Sequence, residues 1–264
     1  MTRSGLDDSA LRHVDSIYYD GAHYDRRYET YTRDIEFWCA LARSTAGPVL
    51  ELAAGTGRLA LPIAESGREV VGLDVAPSMV AQAQRKRRPA TAATFLVGDM
   101  RHFALERTFG LVILACSSVC HLLTDADAAS CFAAVARHLR PAGVFAVDVA
   151  TPHHETATAD GQWRDRFGYP DPATGAAVTV RGRRRYTPET RMLVDDLEYT
   201  IAGGRTARAT RTSRMYTADQ LADLLDGAGL RVDRSYGGFD GRPPSADAQT
   251  QILICSLGRA ARGS

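Results

Sequence analysis

The chain has 264 residues, 45% of them hydrophobic, and a formal net charge of +1. That length can bury one substantial core, and so even a balance of charge gives nucleic acid or an anionic membrane no overall field to follow. Cys39, Cys116, Cys120, Cys131 and Cys255 are odd in number and without paired spacing, which argues against a disulfide scaffold and for reduced thiols in the cytoplasm.

No apolar run reaches the ~18 residues of a membrane span, and Met1 to Asp8 has no signal-like apolar segment, so a soluble intracellular protein is expected. Lys86 is the only lysine among 32 basic residues, a skew that fits a GC-rich coding sequence better than a function. Cys116, Cys120 and His121 lie close together, but they lack the two short ligand pairs of a zinc site, and no metal is expected.

In chain order, the first thirty residues are rich in Tyr, Asp and Arg and read as helices lying over a sheet. Val49 to Leu52 is a short apolar strand, followed by a helix from about Arg58 to Ser66. Glu69 to Leu73 is a second strand ending at Asp74, and Pro77 to Arg88 is a helix opened by Pro77 and Ser78. Further strands fall at Thr94 to Val97, Phe109 to Ala115 and Gly143 to Val149, with a helix over Ala126 to Leu139. This alternation predicts a parallel sheet with helices on both faces.

Residues 151–216 break the rhythm. Val178 to Tyr186, Arg191 to Ile201 and Arg205 to Tyr216 alternate polar with β-favouring residues and read as an antiparallel meander. A helix over Ala218 to Ala228, a stop at Gly229, and strands Leu230 to Tyr236 and Gln251 to Leu257 complete the chain. The expected organisation is one domain: a helical lid over 1–40, a core over 41–150 and 217–264, and the inserted meander over 151–216.

The most informative stretch is Pro48-Val-Leu-Glu-Leu-Ala-Ala-Gly-Thr-Gly57. At Gly55 and Gly57 a β-carbon would restrict the backbone and keep a ligand away. Gly55-x-Gly57-x-x-Ala60 also satisfies a loose dinucleotide fingerprint. In open α/β sheets, however, the ligand lies beyond the carboxyl ends of the strands, where Glu51, Asp74 and Asp99 converge with Cys116-Ser117-Ser118. Three carboxylates suit a ligand with hydroxyl and amino donors and a cationic centre; they suit a pyrophosphate poorly.

With these residues the chain resembles a class I S-adenosylmethionine-dependent methyltransferase. Leu50 to Arg58, Gly72 to Met79 and Gly98 to Arg101 carry the resemblance, with Ala53 where the family has its first glycine. The resemblance implies a Rossmann-like, seven-stranded, mostly parallel sheet. By it, Glu51, Ala53, the Gly55 to Gly57 backbone and Arg58 would surround the methionine end of S-adenosylmethionine. Asp74, with Val75 beside it, would accept from the ribose hydroxyls, and Asp99 would meet the adenine amine. Met79 and Met100 would flank the base, and Cys116 and Tyr24 would close the site. The C-terminal half, Arg214 to Gly241 and a last strand, is similar to a bacterial small-molecule subgroup that includes N-methyltransferases of amino sugars and lincosamides. There the last two strands form an antiparallel hairpin at the sheet edge.

On the acceptor side, His121 follows the fourth strand, where it reads either as the catalytic base, since its unperturbed pKa near ~6.5 suits proton removal at neutral pH, or as a partly buried histidine satisfied by a local carbonyl. The N-terminal segment carries Tyr18, Tyr19, Tyr24, Tyr28 and Tyr31, whose ring faces can exclude water and stabilise a cation. Tyr18, Tyr19, Tyr28, His121, Trp163, Tyr169 and Tyr236 are the candidate acceptor contacts, and Trp38 reads as core. The meander is expected over the acceptor pocket or at a subunit contact in a homo-oligomer. Arg181, Arg183, Arg184 and Arg185 are diluted by neighbouring acids, which argues against nucleic acid. The expected function is methyl transfer to nitrogen or oxygen of a small secondary metabolite. A cyclase or silent cofactor binder on the same fold, and a nicotinamide oxidoreductase, stay open as rivals.

Overall fold

The protein is described from a computed structural model over residues 16–201 and 203–258. Residues 1–15 of the expected lid lie outside the described residues. Seven strands form one sheet in the order β10-β11-β5-β4-β1-β2-β3. They are β1 (Val49–Leu52), β2 (Val70–Asp74), β3 (Ala93–Val97), β4 (Phe109–Leu114), β5 (Leu139–Ala150), β10 (Leu230–Tyr236) and β11 (Thr250–Leu257). Neighbouring strands from β3 to β5 pair in parallel, whereas β11 runs antiparallel to both β5 and β10. The expected Rossmann-like sheet and its terminal hairpin are thus both present.

The strand sequences explain this order. All four residues of β1 and all six of β4 are buried, as befits central strands with both faces covered by helices. Glu51 is the one charged residue in either. β3, at the edge, alternates, and its Val97 is exposed. Two apolar clusters occupy the two faces of the sheet, one around Leu50, Phe132 and Phe145, the other around Trp38, Ile63 and Leu111. Trp38 is fully buried, as its helical spacing predicts.

The helices begin where their caps predict. Pro77 opens the helix Pro77–Lys86, and Thr124 with Asp127 forms a capping box at the start of Asp125–His138. A second capping box, Thr217 with Gln220, starts Ala218–Gly227.

Residues 164–214 form a separate antiparallel sheet in the order β6-β7-β8-β9: Arg164–Pro170, Ala177–Thr187, Met192–Ile201 and Arg205–Arg214. The sequence reading misses β6, because Gly168 and Pro170 look like loop residues; an edge strand tolerates both. The period-2 alternation of β7 splits the arginine cluster. Arg181, Arg183 and Arg185 pair on the solvent face with Glu198 and Asp196, while Arg184 reaches inward to Asp195 and Glu155. The inner face packs Tyr169, Val178, Val180, Leu197 and Tyr199 onto Tyr18. Among the described residues no helix is long and apolar enough to cross a membrane.

Candidate active site

Strand order reverses between β1 and β4, and a crevice opens beyond their carboxyl ends. A cavity of about 30 Å³ lies there, bounded by Tyr24, Glu51, Ala53, Arg58, Cys116 and Ser118. On the other side of Tyr24 and Arg58 a groove of about 610 Å³ runs past Asp25, Tyr28, Gly57 and Lys86. Both borders of the crevice use left-handed backbone. Ala53, Gly55 and Gly57 have φ of 51°, 54° and 76°, and across from them Cys116 and Ser117 have φ of 57° and 53°. Ala53 therefore takes, without being glycine, the conformation that favours glycine.

Asp74 braces the turn. Its Oδ2 accepts the Gly55 N–H at 2.7 Å and its Oδ1 the Ala76 N–H at 2.9 Å. Each oxygen keeps a lone pair for a further donor. Burial raises the Asp74 pKa, against the pull of these two N–H groups. Glu51 is 4% exposed, and its Oε2 has no protein partner. Desolvation pushes its carboxyl up to about 8, although Arg58 acts the other way. An orphaned buried carboxylate oxygen invites a cationic or hydrogen-bond-donating ligand.

Several predicted residues are engaged elsewhere. The Arg58 guanidinium forms a bidentate pair with the fully buried Asp34, 2.7 Å in both arms, and also reaches the Tyr31 carbonyl and the Cys116 sulfur. Burial disfavours its charge, but the Asp34 hydrogen bonds outweigh that and raise its pKa. Asp99 accepts from both the backbone N–H and the guanidinium of Arg101, which bridges on to Asp127. Met79 is buried on its helix, Met100 packs against the core, and Val75 is half-buried beside Asp74.

The helix α1 (Gly21–Tyr28) carries Tyr24 to the cavity, its ring 4.0 Å from where a β-carbon on Gly55 would stand. Asp25 fixes that helix by accepting from Thr56 Oγ1 at 2.6 Å, Gln82 Nε2 at 2.7 Å and Lys86 Nζ at 2.7 Å. On its other flank His23 Nδ1 lies 3.0 Å from the Tyr169 hydroxyl. Tyr24 stacks on Tyr28, with centroids 4.4 Å apart, and burial raises both phenols, that of Tyr28 to about 12.

Opposite α1, the 3₁₀ turn Ser118–His121 packs against β5 and β9. Burial first, then the positive field of Arg211 on β9, pushes His121 down to about 4. The residue is therefore neutral at physiological pH, and the ordinary histidine value expected from sequence does not hold here. Arg211 pairs with Asp195 at 2.7 Å and lies 3.4 Å from the Tyr18 hydroxyl; Tyr18 in turn packs edge-on against Tyr19. Arg27 is stacked among the rings of Tyr18, Tyr28 and Phe167.

His121, Tyr18, Tyr19, Tyr28 and Tyr169 are thus drawn into one region between the inserted sheet and the crevice. Trp163 and Tyr236 are not. Trp163 is 37% exposed on the solvent face, held by Arg181 and Arg183, since the alternation of β7 sends those side chains outward. Tyr236 packs on Phe37 in the cluster on the far side of the sheet.

Three residues escaped the sequence reading. Asp148 lies two residues before the end of β5 and is 2% exposed; burial pushes it up to about 7, and only its Oδ2 has a partner. Its place near a strand end was the available signal. Arg211 and Asp195 gave none, because they reach the site only through the folding of the meander.

Residues 49–143 match the family model described as a methyltransferase domain. The chain is 33% identical over 202 residues to the dTDP-3-amino-3,4,6-trideoxy-alpha-D-glucopyranose N,N-dimethyltransferase of Streptomyces venezuelae, covering 75% of this chain and 81% of that protein. The CcbJ methyltransferase of Streptomyces caelestis superposes with a TM-score of 0.78 at 20% identity, over 92% of this chain and 98% of that one. CalS10, an amino pentose methyltransferase of Micromonospora echinaspora solved with S-adenosylmethionine bound, gives 0.63 at 22% identity, over 97% and 99%.

The chain belongs to the S-adenosylmethionine-dependent methyltransferases. It is an enzyme of methyl transfer, and the cyclisation and nicotinamide readings are left without support.

Proposed function

We propose that this methyltransferase acts on the amine of a small amino sugar or a similar aminated metabolite. The observation that carries the choice of nitrogen is the likeness to an amino-sugar N,N-dimethyltransferase, 33% identical over 202 residues; the lowered pKa of the half-buried His121 agrees with it. So weak a base cannot draw a proton from an aliphatic hydroxyl, whose pKa lies on the order of ten units higher. A neutral amine asks for much less: its lone pair must face the methyl group while a hydrogen-bond acceptor holds its N–H. Neutral His121 can serve as that acceptor, holding the N–H in a hydrogen bond while positive charge develops on nitrogen; the ammonium product leaves with its proton and loses it to solvent.

The residues of the crevice fit S-adenosylmethionine. Glu51, with its unpartnered Oε2, would hold the amino end, the Gly55 to Gly57 backbone would line it, and Asp74 would accept from the ribose hydroxyls. When bound, the cofactor supplies a methyl group activated by a sulfonium. The protein's own part is alignment, which in a displacement at carbon is a large part of the rate. Tyr24 excludes water above the glycine turn, and the Tyr18, Tyr19 and Tyr28 rings offer faces that stabilise a methylated ammonium. Arg27 and Arg211 add positive charge nearby, which favours an acceptor carrying an anionic group at a distance from its amine.

The test is mass spectrometry of products after incubation with S-adenosylmethionine and a panel of amino sugars, free and nucleotide-linked, beside their hydroxyl analogues. Gain of one or two methyl groups by the amines, with matching S-adenosylhomocysteine, is the expected result. Methylation of the hydroxyl analogues alone would overturn the assignment to nitrogen.

A further inference from the structure

We propose that Asp148 is a positioning residue for methyl transfer: it holds the Cys116–Ser117 turn and through it aims His121. This rests on the reading of His121 as the group that meets the acceptor. β5 runs parallel to β4 with Val147 opposite Leu114, so Asp148 stands where the chain leaves β4. There two consecutive residues with β-carbons, Cys116 and Ser117, take left-handed φ. Each such residue is strained and persists only when its surroundings over-determine it.

Asp148 and its neighbour supply that constraint. Asp148 Oδ2 accepts the Ser117 N–H at 3.0 Å and faces the Ser117 hydroxyl at 3.4 Å, while Ser117 Oγ accepts the Ala150 N–H at 2.9 Å. The Ser117 carbonyl then accepts the Cys120 N–H, which starts the turn carrying His121. Beyond His121 the span is pinned again, where the Tyr216 hydroxyl donates to the Leu122 carbonyl at 2.5 Å and Arg214 to that of Leu123 at 3.3 Å. His121 thus rides on a short bridge with two anchored ends. Only the Asp148 end carries strain, and only there is a nearly inaccessible carboxyl kept with one oxygen unpartnered.

Four enzymes decide it: wild type, Asp148→Asn, His121→Ala and the double variant, each measured for kcat, acceptor KM and calorimetric affinity for S-adenosylhomocysteine. Asp148→Asn is expected to lower kcat about 30-fold, the scale of a small misplacement of a reacting group, with KM and cofactor affinity changed less than about threefold. In the His121→Ala background the same change should cost less than about threefold, because the residue through which Asp148 acts is gone. Losses that multiply in the double variant, or a wild-type kcat for Asp148→Asn, overturn the proposal while leaving His121 its role. A wild-type rate for His121→Ala instead removes the reading on which it rests. Should Asp148→Asn fail to bind S-adenosylhomocysteine, Ser117→Ala takes its place in the same cycle, with an expected kcat loss of about fivefold.

Discussion

The two halves of the site are built in different ways. The cofactor crevice comes from strand-turn-helix units consecutive in the chain: Glu51, Ala53 and Gly55 within five residues, and Asp74 at the end of the next strand. Backbone conformation does much of the work there, through the left-handed residues and the Asp74 brace. The proposed acceptor region is assembled from four distant segments: Tyr18 and Tyr28, His121, Tyr169, and Arg211. Side chains do the work there, and they meet only after the inserted sheet has folded over the core. A site made of local units leaves a spacing pattern; a site made of long-range contacts leaves scattered residue types.

The sharpest way to break this contrast is to disturb the long-range side. Asp195 is 3% exposed and pairs with both Arg184 and Arg211, so Asp195→Ala leaves the inward Arg211 without its carboxylate and Arg184 with Glu155 alone. A loss of about 3–5 kcal/mol of stability is expected, read as a lower midpoint in denaturant titration. A loss under about 1 kcal/mol would mean that the inserted sheet is held by its apolar face alone.

On the local side, Asp74→Ala should weaken S-adenosylhomocysteine binding about 100-fold in calorimetry, since charge-assisted hydrogen bonds contribute ~1.5–3 kcal/mol each. Unchanged affinity would place the ribose elsewhere.

Glu51 separates stability from binding. Its folded-state pKa of about 8 lies above the ordinary 4.5. Between these values the unfolded chain has released the proton that the folded chain keeps, so folding stability falls as pH rises through the window. Glu51→Gln should therefore melt higher than wild type at pH 8 without cofactor, with the advantage shrinking toward pH 5, while its affinity for S-adenosylhomocysteine falls. Equal melting curves at every pH would show that Glu51 is hydrated in solution.

The smallest effect is expected at Ala53. Ala53→Gly relieves a left-handed alanine at the cost of extra freedom in the unfolded chain, for a net gain of about 0.5–1 kcal/mol. Thermal melting reads it directly.

How much of this was legible follows the same division. The seven strands of the large sheet, the terminal hairpin and the positions of Glu51 and Asp74 beside the glycine turn were readable because apolar runs, caps and glycine turns act locally. β6 was not, since Gly168 and Pro170 in an edge strand look like a loop. Trp163 and Tyr236 lie apart from the other acceptor candidates, because an aromatic residue in the right region does not reveal which side of the fold it will take. The pKa of His121 was beyond the sequence, being set by burial and by Arg211, ninety residues away in the chain. Arg58 and Asp99 look available from their motifs, yet in the fold each already has a charged partner.

Helix α1 touches both halves. It is tied to the cofactor turn through Asp25 and Thr56, and to the inserted sheet through His23 and Tyr169. An element tied on both sides is a route by which the two binding events can be coupled, and linkage requires the coupling to be mutual: whatever factor the cofactor lends to acceptor affinity, the acceptor returns to the cofactor. Calorimetry in both orders of addition should give the same factor. His23→Ala should bring it toward one while leaving cofactor binding alone unchanged.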